Sequence, residues 1–326
     1  MNILVIGLGS MGKRRVRLVQ EMFPNYVIYG VDGRKDRREE ASRLHGIKCT
    51  DSIHKAAREY SIDAAFICTS PLSHNSIIKD CLLNNWNVFT ELNLVEDGYK
   101  ENMALAKKNG CVLFLSSTFF YREEIRYIRS QIDENRKWNY VYHIGQYLPD
   151  WHPWENYKEF FIGNKRTNGC REIMAIELPW ITKTFGEIER VNVIADKMTE
   201  LSIDYSDNYM IQIKHANGNK GTLIVDVVSP VAVRRLEIYS ENKYIQWSGT
   251  PDSLYEYDES SDTLKAVELN EIEEHRAGYR AFVVENAYRN EIQEFMDVVL
   301  KGTEQLYGFE EDLMILRLID RVEALN

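Results

Sequence analysis

The chain has 326 residues, 44% of them hydrophobic and 28% charged, with a formal net charge of -10. That composition suits a globular protein with room for two domains, and the acidic balance excludes a general nucleic-acid-binding surface. The five cysteines (Cys49, Cys68, Cys81, Cys111 and Cys170) are odd in number and lack CxxC spacing, which points to reduced thiols in a cytoplasm rather than a disulfide framework.

Residues 2–6 read as a short apolar strand, the kind buried on both faces of a parallel sheet. The glycine-broken run at residues 1–15 carries its charges after the apolar stretch, so it reads as a strand and turn rather than a secretion signal. No apolar run approaches the roughly 20 residues that span a bilayer. A basic amphipathic helix follows at 11–22, a second strand at 26–31 and a second helix at 37–44. A helix at 51–59 begins at Asp51 or Ser52 as its cap. Then come a strand at 64–68, a helix at 74–84, a strand at 87–90, a helix at 98–109 and a strand at 112–116. This alternation predicts a doubly wound parallel sheet over residues 1–120.

The pattern changes over 121–326. A helix at 121–134 and a strand at 140–148 lead into an aromatic loop, and 170–185 is helical. Strand-like runs at 190–196, 209–214, 221–228, 234–239 and 244–247 follow with turn signals between them, Asn217-Gly218 among them. A mainly antiparallel, open sheet is the expectation, closed by helices at 279–300 and 310–325 that can pack back on the first domain.

Between the first strand and first helix stands Gly7-Leu8-Gly9-Ser10-Met11-Gly12, a full GxGxxG. Gly7 makes the tight turn, Gly9 lets backbone approach a pyrophosphate, and Gly12 permits close helix–strand packing. The helix N-terminus at Ser10 and Met11 supplies N–H donors and positive potential. Asp32 lies 20 positions after Gly12, at the end of the second strand, where a carboxylate accepts from ribose hydroxyls. These features predict a Rossmann domain that binds NAD. Asp32 repels a 2′-phosphate, but Arg34 and Lys35 follow it, so NADP is also admissible.

With these residues the chain resembles the Gfo/Idh/MocA oxidoreductases, the family of glucose–fructose oxidoreductase and inositol dehydrogenase. The match runs through the glycine motif, through Thr69-Ser70-Pro71 with His74 three residues on, and through Thr90-Glu91. The spacing from Asn286 to Phe295, Gly302 and the acidic final helix is also similar to the family's C-terminus. The resemblance implies a Rossmann domain followed by an α/β domain whose large open sheet serves oligomerisation, so a homodimer or homotetramer. It implies hydride transfer at a sugar or polyol carbon. Thr69, Ser70, Pro71 and His74 would shape the cofactor pocket, and Glu91 would lie near the nicotinamide ribose.

The departures are as informative. The family reads Glu-Lys-Pro where this chain has Glu91-Leu92-Asn93, so the usual lysine is missing. The family's Asp and His on the helix after the substrate loop align with Glu172 and Ile176, or, one residue on, with Ile173 and Glu177. Proton transfer therefore falls to other groups. His152 and Glu172 are the candidates, His152 because its side chain titrates near neutrality. Trp151, Trp154 and Tyr157 offer rigid aromatic faces for a sugar, Arg171 a cation for a phosphate or carboxylate, and Glu177 a partner for hydroxyls. A subgroup linked to bacterial surface-sugar biosynthesis has a similar loop and a similar Arg171-to-Trp180 stretch. The same aromatics can instead pin the loop, and Arg171, Glu172 and Glu177 can form a structural ion-pair cluster. Tyr121 is a weaker wall candidate, and Lys165 and Arg166 read as a solvated basic loop. His143 and His215 lack partners at metal-ligand spacing, so no metal is expected.

The function expected is NAD(P)-dependent hydride transfer to or from a sugar or nucleotide-sugar carbon. Loss of the usual lysine and histidine keeps a second reading open, a dinucleotide-binding sensor or inactive homologue that regulates a partner. A third is a reductase of a ring compound.

Overall fold

The computed structural model describes residues 1–151, 156–269 and 284–325. These residues form two compact units, one of Met1–Ser117 with Arg289–Leu313, the other of Thr118–Tyr288 with Met314–Asn326.

The first unit alternates strand and helix: β1 (Asn2–Ile6), α1 (Ser10–Met22), β2 (Val27–Val31), α2 (Lys35–His45), β3 (Lys48–Thr50), α3 (Ile53–Glu59), β4 (Ala64–Ile67), α4 (Pro71–Leu83), β5 (Asn87–Thr90), α5 (Tyr99–Asn109) and β6 (Leu113–Leu115). The strands pair in parallel in the order β3-β2-β1-β4-β5-β6, the dinucleotide-binding order whose chain reversal lies between β1 and β4. Local chemistry sets the ends. Ser52 caps α3 by accepting from Lys55 N–H at 3.4 Å. Gly46 and Gly110 end α2 and α5 in the left-handed conformation, which costs glycine little. The three-residue strand β3 escapes sequence reading because it is too short to show a period.

The second unit opens with a 3-10 turn at Thr118–Tyr121 and continues through α6 (Glu123–Gln131), β7 (Asn139–Gly145) and α7 (Gly169–Phe185). Then follow β8 (Ile188–Asp196), β9 (Asn208–His215), β10 (Lys220–Asp226), β11 (Val233–Ser240), β12 (Lys243–Trp247), β13 (Leu254–Asp258) and β14 (Thr263–Ala266). They form one eight-stranded sheet, β14-β13-β12-β11-β7-β10-β9-β8, antiparallel except between β7 and β10. The mainly antiparallel sheet expected of the sequence is therefore present. It is wider than the sequence suggests, because the β13–β14 hairpin is too polar to stand out. Tyr140, Tyr142 and Ile144 point to the buried face, where Tyr140 stacks on Phe185 at 4.3 Å and Tyr142 meets Trp180 edge-on at 5.7 Å. The chain ends in α8 (Glu285–Lys301) and α9 (Phe309–Ala324). The part of the expected helix at 279–283 lies outside the described residues.

An aromatic ladder carries the first core. Phe66, Phe89 and Phe114 are register partners on β4, β5 and β6, stacked at 4.7 and 5.3 Å. Phe295 of α8 stands edge-on to all three, 5.3–5.6 Å away. All four are fully buried. Each such pair adds about 0.5–1.5 kcal/mol beyond burial, which ties residues 289–313 to the first unit.

Candidate functional site

In the first unit, the turn after β1 is shaped for a dinucleotide. Gly7 has φ +89°, and a Cβ there would lie 2.7 Å from the Cys68 carbonyl oxygen. A Cβ at Gly12 would lie 1.8 Å from the Gly7 carbonyl oxygen, so α1 and its strand touch through bare backbone. At Gly9 the nearest atoms a Cβ would meet belong to a flexible side chain, Arg37, at 3.5 Å. Gly9 caps α1 without a side-chain acceptor, and the first intrahelical bond runs from Lys13 N–H to the Gly9 carbonyl at 3.0 Å. The N–H groups of Ser10, Met11 and Gly12 are thus the orphan donors of a helix start, suited to an anion.

Asp32 is buried. Its Oδ2 accepts from Leu8 N–H and its Oδ1 from Arg34 N–H, both at 2.8 Å. Each oxygen keeps a lone pair for a ribose hydroxyl. The Arg34 guanidinium is turned away onto Asp36, at 3.1 and 2.5 Å.

The Thr69-Ser70-Pro71 turn leads into α4 with Ser70 at its cap and Pro71 at its first position. His74 is buried beneath it, with Nε2 3.0 Å from the Thr69 carbonyl oxygen and Nδ1 2.6 Å from Asn93 Oδ1. Burial lowers its pKa, and the ring braces the turn against the segment after β5. Glu91 is held in a bidentate grip by Arg15, Nε to Oε1 at 2.6 Å and Nη2 to Oε2 at 3.1 Å. Arg15, fully buried, also reaches Glu291 at 2.7 Å. Burial opposes its charge, yet the two carboxylates outweigh that and raise its pKa. Glu91 is therefore an anchored anion. The sequence carried one sign of this network that reading overlooked, a charged residue at 15 on the face of α1 that also buries Val16, Leu18 and Val19.

In the second unit, Asn168 caps α7 by accepting from Arg171 N–H at 2.7 Å. The Arg171 side chain, 5% exposed, binds Asp320 at 2.6 Å and Glu323 at 2.5 Å. The free anion-binding cation expected of the sequence is thus engaged by α9. Arg171→Met should lower the stability of the second unit by about 1–3 kcal/mol and leave KM unchanged, read by thermal melts beside initial rates. Glu177 is fully buried and accepts from Tyr142 OH at 2.9 Å, from Trp180 Nε1 at 2.7 Å and from Arg234. It organises the core rather than facing a ligand. Arg234 and Arg122 both lie over Phe119 and Trp247, and Tyr121, next to Arg122 in sequence, is buried.

Glu172, one turn into α7, differs from its neighbours. Its Oε2 is sealed from solvent without a hydrogen-bond partner among the described residues. Burial alone pushes its pKa up to about 7. Trp151 donates from Nε1 to the Gln146 carbonyl at 3.0 Å, and its ring lies 3.5 Å from where a Cβ at Gly169 would sit, at the start of the same helix. Tyr157 OH accepts from Ser202 N–H at 3.3 Å. His152 and Trp154 lie outside the described residues. Lys165 and Arg166 are exposed in a 3-10 turn.

His143 pairs with Asp226 at 2.6 Å. His215 is buried between the Gly186 carbonyl and Tyr140 OH at 2.6 and 3.0 Å. Among the described residues no group of three or more His, Cys, Asp or Glu could hold a metal ion, and no helix is long and apolar enough to cross a membrane.

Residues 1–117 match the family model described as "Oxidoreductase family, NAD-binding Rossmann fold", GFO_IDH_MocA. Over these residues the chain is similar to that family, and its cofactor is a nicotinamide dinucleotide. No curated protein matches the chain by sequence. Solved structures share the fold over both units. Levoglucosan dehydrogenase in complex with NADH is 17% identical, covering 99% of this chain and 96% of that one, with a TM-score of 0.80. UDP-N-acetylglucosamine 3-dehydrogenase from Acidithiobacillus ferrooxidans is 14% identical, covering 100% and 97%, with a TM-score of 0.75. Biliverdin reductase from Synechocystis sp. PCC 6803, in complex with biliverdin and NADP+, is 14% identical, covering 99% and 98%, with a TM-score of 0.78.

Proposed function

We propose that this chain is an NAD(P)-dependent oxidoreductase acting on the CH–OH group of a sugar or nucleotide-sugar, with Glu172 as the acid/base. The bound nicotinamide supplies or takes the hydride. The observation that carries the reading is Glu172 itself, whose sealed Oε2 has no partner among the described residues and whose pKa is raised to about 7. A general acid/base works best when its pKa lies near the working pH. Every other sequence candidate among the described residues is committed elsewhere, Glu91 to Arg15, Arg171 to α9, and Glu177 to Tyr142, Trp180 and Arg234. Gly7, Gly9, Gly12 and Asp32 hold the dinucleotide, Thr69 to Pro71 and His74 shape its pocket, and Trp151, Trp154 and Tyr157 bear on the sugar. His152 is the alternative acid/base. Two sugar dehydrogenases of the same fold support the substrate class. We place the protein in the cytoplasm, in the biosynthesis of surface-polysaccharide sugars.

A homo-oligomer is part of the same reading. Ile194, Met210, Val141 and Tyr239 are 75%, 49%, 39% and 42% exposed. The register puts them on one face of the eight-stranded sheet, opposite Tyr140 and Tyr142. Such a face is stabilised by a second copy. Ile194→Asp combined with Met210→Lys should yield a smaller species by light scattering.

Nicotinamide absorbance with both cofactors in both redox states, against UDP-, GDP- and CMP-sugars and their keto forms, tests the function. A substrate-dependent change is expected. Saturable cofactor binding with no turnover would favour the sensor reading. Turnover of a linear tetrapyrrole but of no sugar would favour a ring reductase, a reading supported by the biliverdin reductase of the same fold.

A further inference from the structure

A chain of buried polar side chains runs through the first unit, from the Thr69 turn to the start of α9. His74, Asn93, Tyr99, Tyr307 and Asp312 are each at most 4% exposed. The Asp312 carboxylate accepts from both tyrosines, at Oδ2 from Tyr99 OH and at Oδ1 from Tyr307 OH, the latter at 2.8 Å. Burial lifts this carboxyl to about 6, and among the described residues no cation offsets the loss of water. The charged groups that bear on the rest of the chain are carboxylates as well, Glu91 on His74, Glu96 on Tyr99 and Glu311 on Tyr307. At the far end, His74 Nε2 faces the Thr69 carbonyl and Nδ1 faces Asn93 Oδ1. Thr90 Oγ1, which donates to the Glu91 carbonyl, lies 3.3 Å from the same Nδ1. Asn93 Nδ2 is sealed from solvent without a hydrogen-bond partner among the described residues. The hydroxyl it bears on is that of Tyr99.

Two arrangements of hydrogens fit these contacts. With Asp312 ionised, Tyr99 donates its one hydrogen to the carboxylate and turns its oxygen to Asn93 Nδ2. Asn93 then shows its own oxygen to His74, so Nδ1 must carry a hydrogen. A neutral ring has no second one, and the Nε2 lone pair is left against the Thr69 carbonyl. With Asp312 protonated, the carboxyl donates to Tyr99 and Tyr99 to Asn93 Oδ1. The amide, turned over, donates from Nδ2 to His74 Nδ1. The hydrogen of the neutral ring then sits on Nε2, where Thr69 accepts it, and each link of the chain is paired. The same proton placed on His74 instead also supplies Nε2–H, but at the cost of two buried charges. The two groups therefore titrate as a pair.

We propose that Asp312, acting through Tyr99 and Asn93, sets which nitrogen of His74 carries the hydrogen, and so makes dinucleotide affinity depend on a proton held outside the dinucleotide site. Asp312 and Asn93 are positioning residues in this scheme. The inference rests on the reading of Thr69 to Pro71 as part of the cofactor pocket. Proton uptake braces the turn, so affinity is full below about pH 6 and falls as pH rises above it. Two measurements on the full chain test this. In ¹⁵N NMR of histidine-labelled protein, with His74→Gln to assign the signal, Nε2–H should be present at about pH 5.5 and lost by about pH 8. In NADH fluorescence titrations over the same range, wild type should weaken by about tenfold, the scale of one hydrogen bond. Asp312→Asn, whose amide imitates the protonated carboxyl, and Tyr99→Phe, which interrupts the chain, should each change by less than about twofold. Asp312→Asn should bind at the higher pH as tightly as wild type at the lower. Thermal melts show that each variant is folded, and either one alone decides. A His74 tautomer that does not move would overturn the proposal, and so would a pH dependence that Tyr99→Phe retains. A tautomer that moves while NADH affinity stays flat would overturn it too, and would place the Thr69 turn outside the cofactor pocket.

Discussion

Gly12→Ala should abolish dinucleotide binding and destabilise the first unit by about 3 kcal/mol or more, the upper end for an overpacked site. The added methyl would lie 1.8 Å from the Gly7 carbonyl oxygen. The methyl is fixed directly to the α1 backbone and the oxygen is backbone of the turn after β1, so no side-chain rotation can make room. The helix must move off the strand, and its N-terminal donors move with it. Two neighbours make the controls. Gly9→Ala would meet only the flexible tip of Arg37, at 3.5 Å, so it should fold normally yet lose NAD affinity, because its methyl occupies the approach of the pyrophosphate. Gly33→Ala, with nothing within 4 Å, should be close to neutral in both. Thermal melts beside NADH fluorescence titrations separate the three. Normal NAD affinity in Gly12→Ala would contradict the assignment of the loop.

Glu172→Gln should lower turnover by about 10²–10⁴-fold, the usual contribution of a positioned acid/base, while making the protein more stable in alkali. The sign follows from linkage. Burial raises this carboxyl from its ordinary 4.5 to about 7 in the fold. Between those values the native state keeps a proton that the unfolded chain has released. The stability is whole below about pH 4.5 and is lost as pH rises through about 7, to a total of about 3 kcal/mol. Glutamine cannot ionise and escapes that loss. Melts at pH 5 should therefore nearly coincide for wild type and variant, whereas at pH 8 the variant should melt higher. A variant that kept full turnover would move the acid/base elsewhere, with His152 next to be replaced. The pairing of lower activity with higher stability is what a residue held against its own solvation for chemistry should show.

What the sequence made legible follows from how local each feature is. The glycine loop, Asp32 and the strand–helix alternation are written in neighbouring residues, so the parallel sheet and the cofactor could be read from spacing. Glu172 came from the family resemblance, as the residue that aligns with the family's Asp on the helix after the substrate loop. Partners that meet across long stretches of chain could not be read. Nothing near Arg171 announces Asp320 and Glu323, and nothing near Glu177 announces Tyr142 or Arg234. Both residues looked available because their partners were far away in sequence. Arg37 was missed for a different reason. Four cations among residues 34–38 give no sign of which one lies nearest Asp32, since that depends on the first turn of α2 and on Asp36 pairing with Arg34.

The phenylalanine ladder bears on the order in which the protein is made. During synthesis Phe66, Phe89 and Phe114 leave the ribosome long before Phe295, and Arg15 long before Glu291. Until then the nascent parallel sheet presents three stacked rings to water and a guanidinium short of one of its two carboxylates. A fragment ending at Ser117 should behave the same way, folding poorly and associating through those rings. Adding residues 289–313 as a separate peptide should restore it. The nucleotide-binding unit is thus completed only by residues translated after the whole of 118–288, which delays cofactor capture until that stretch has been synthesised.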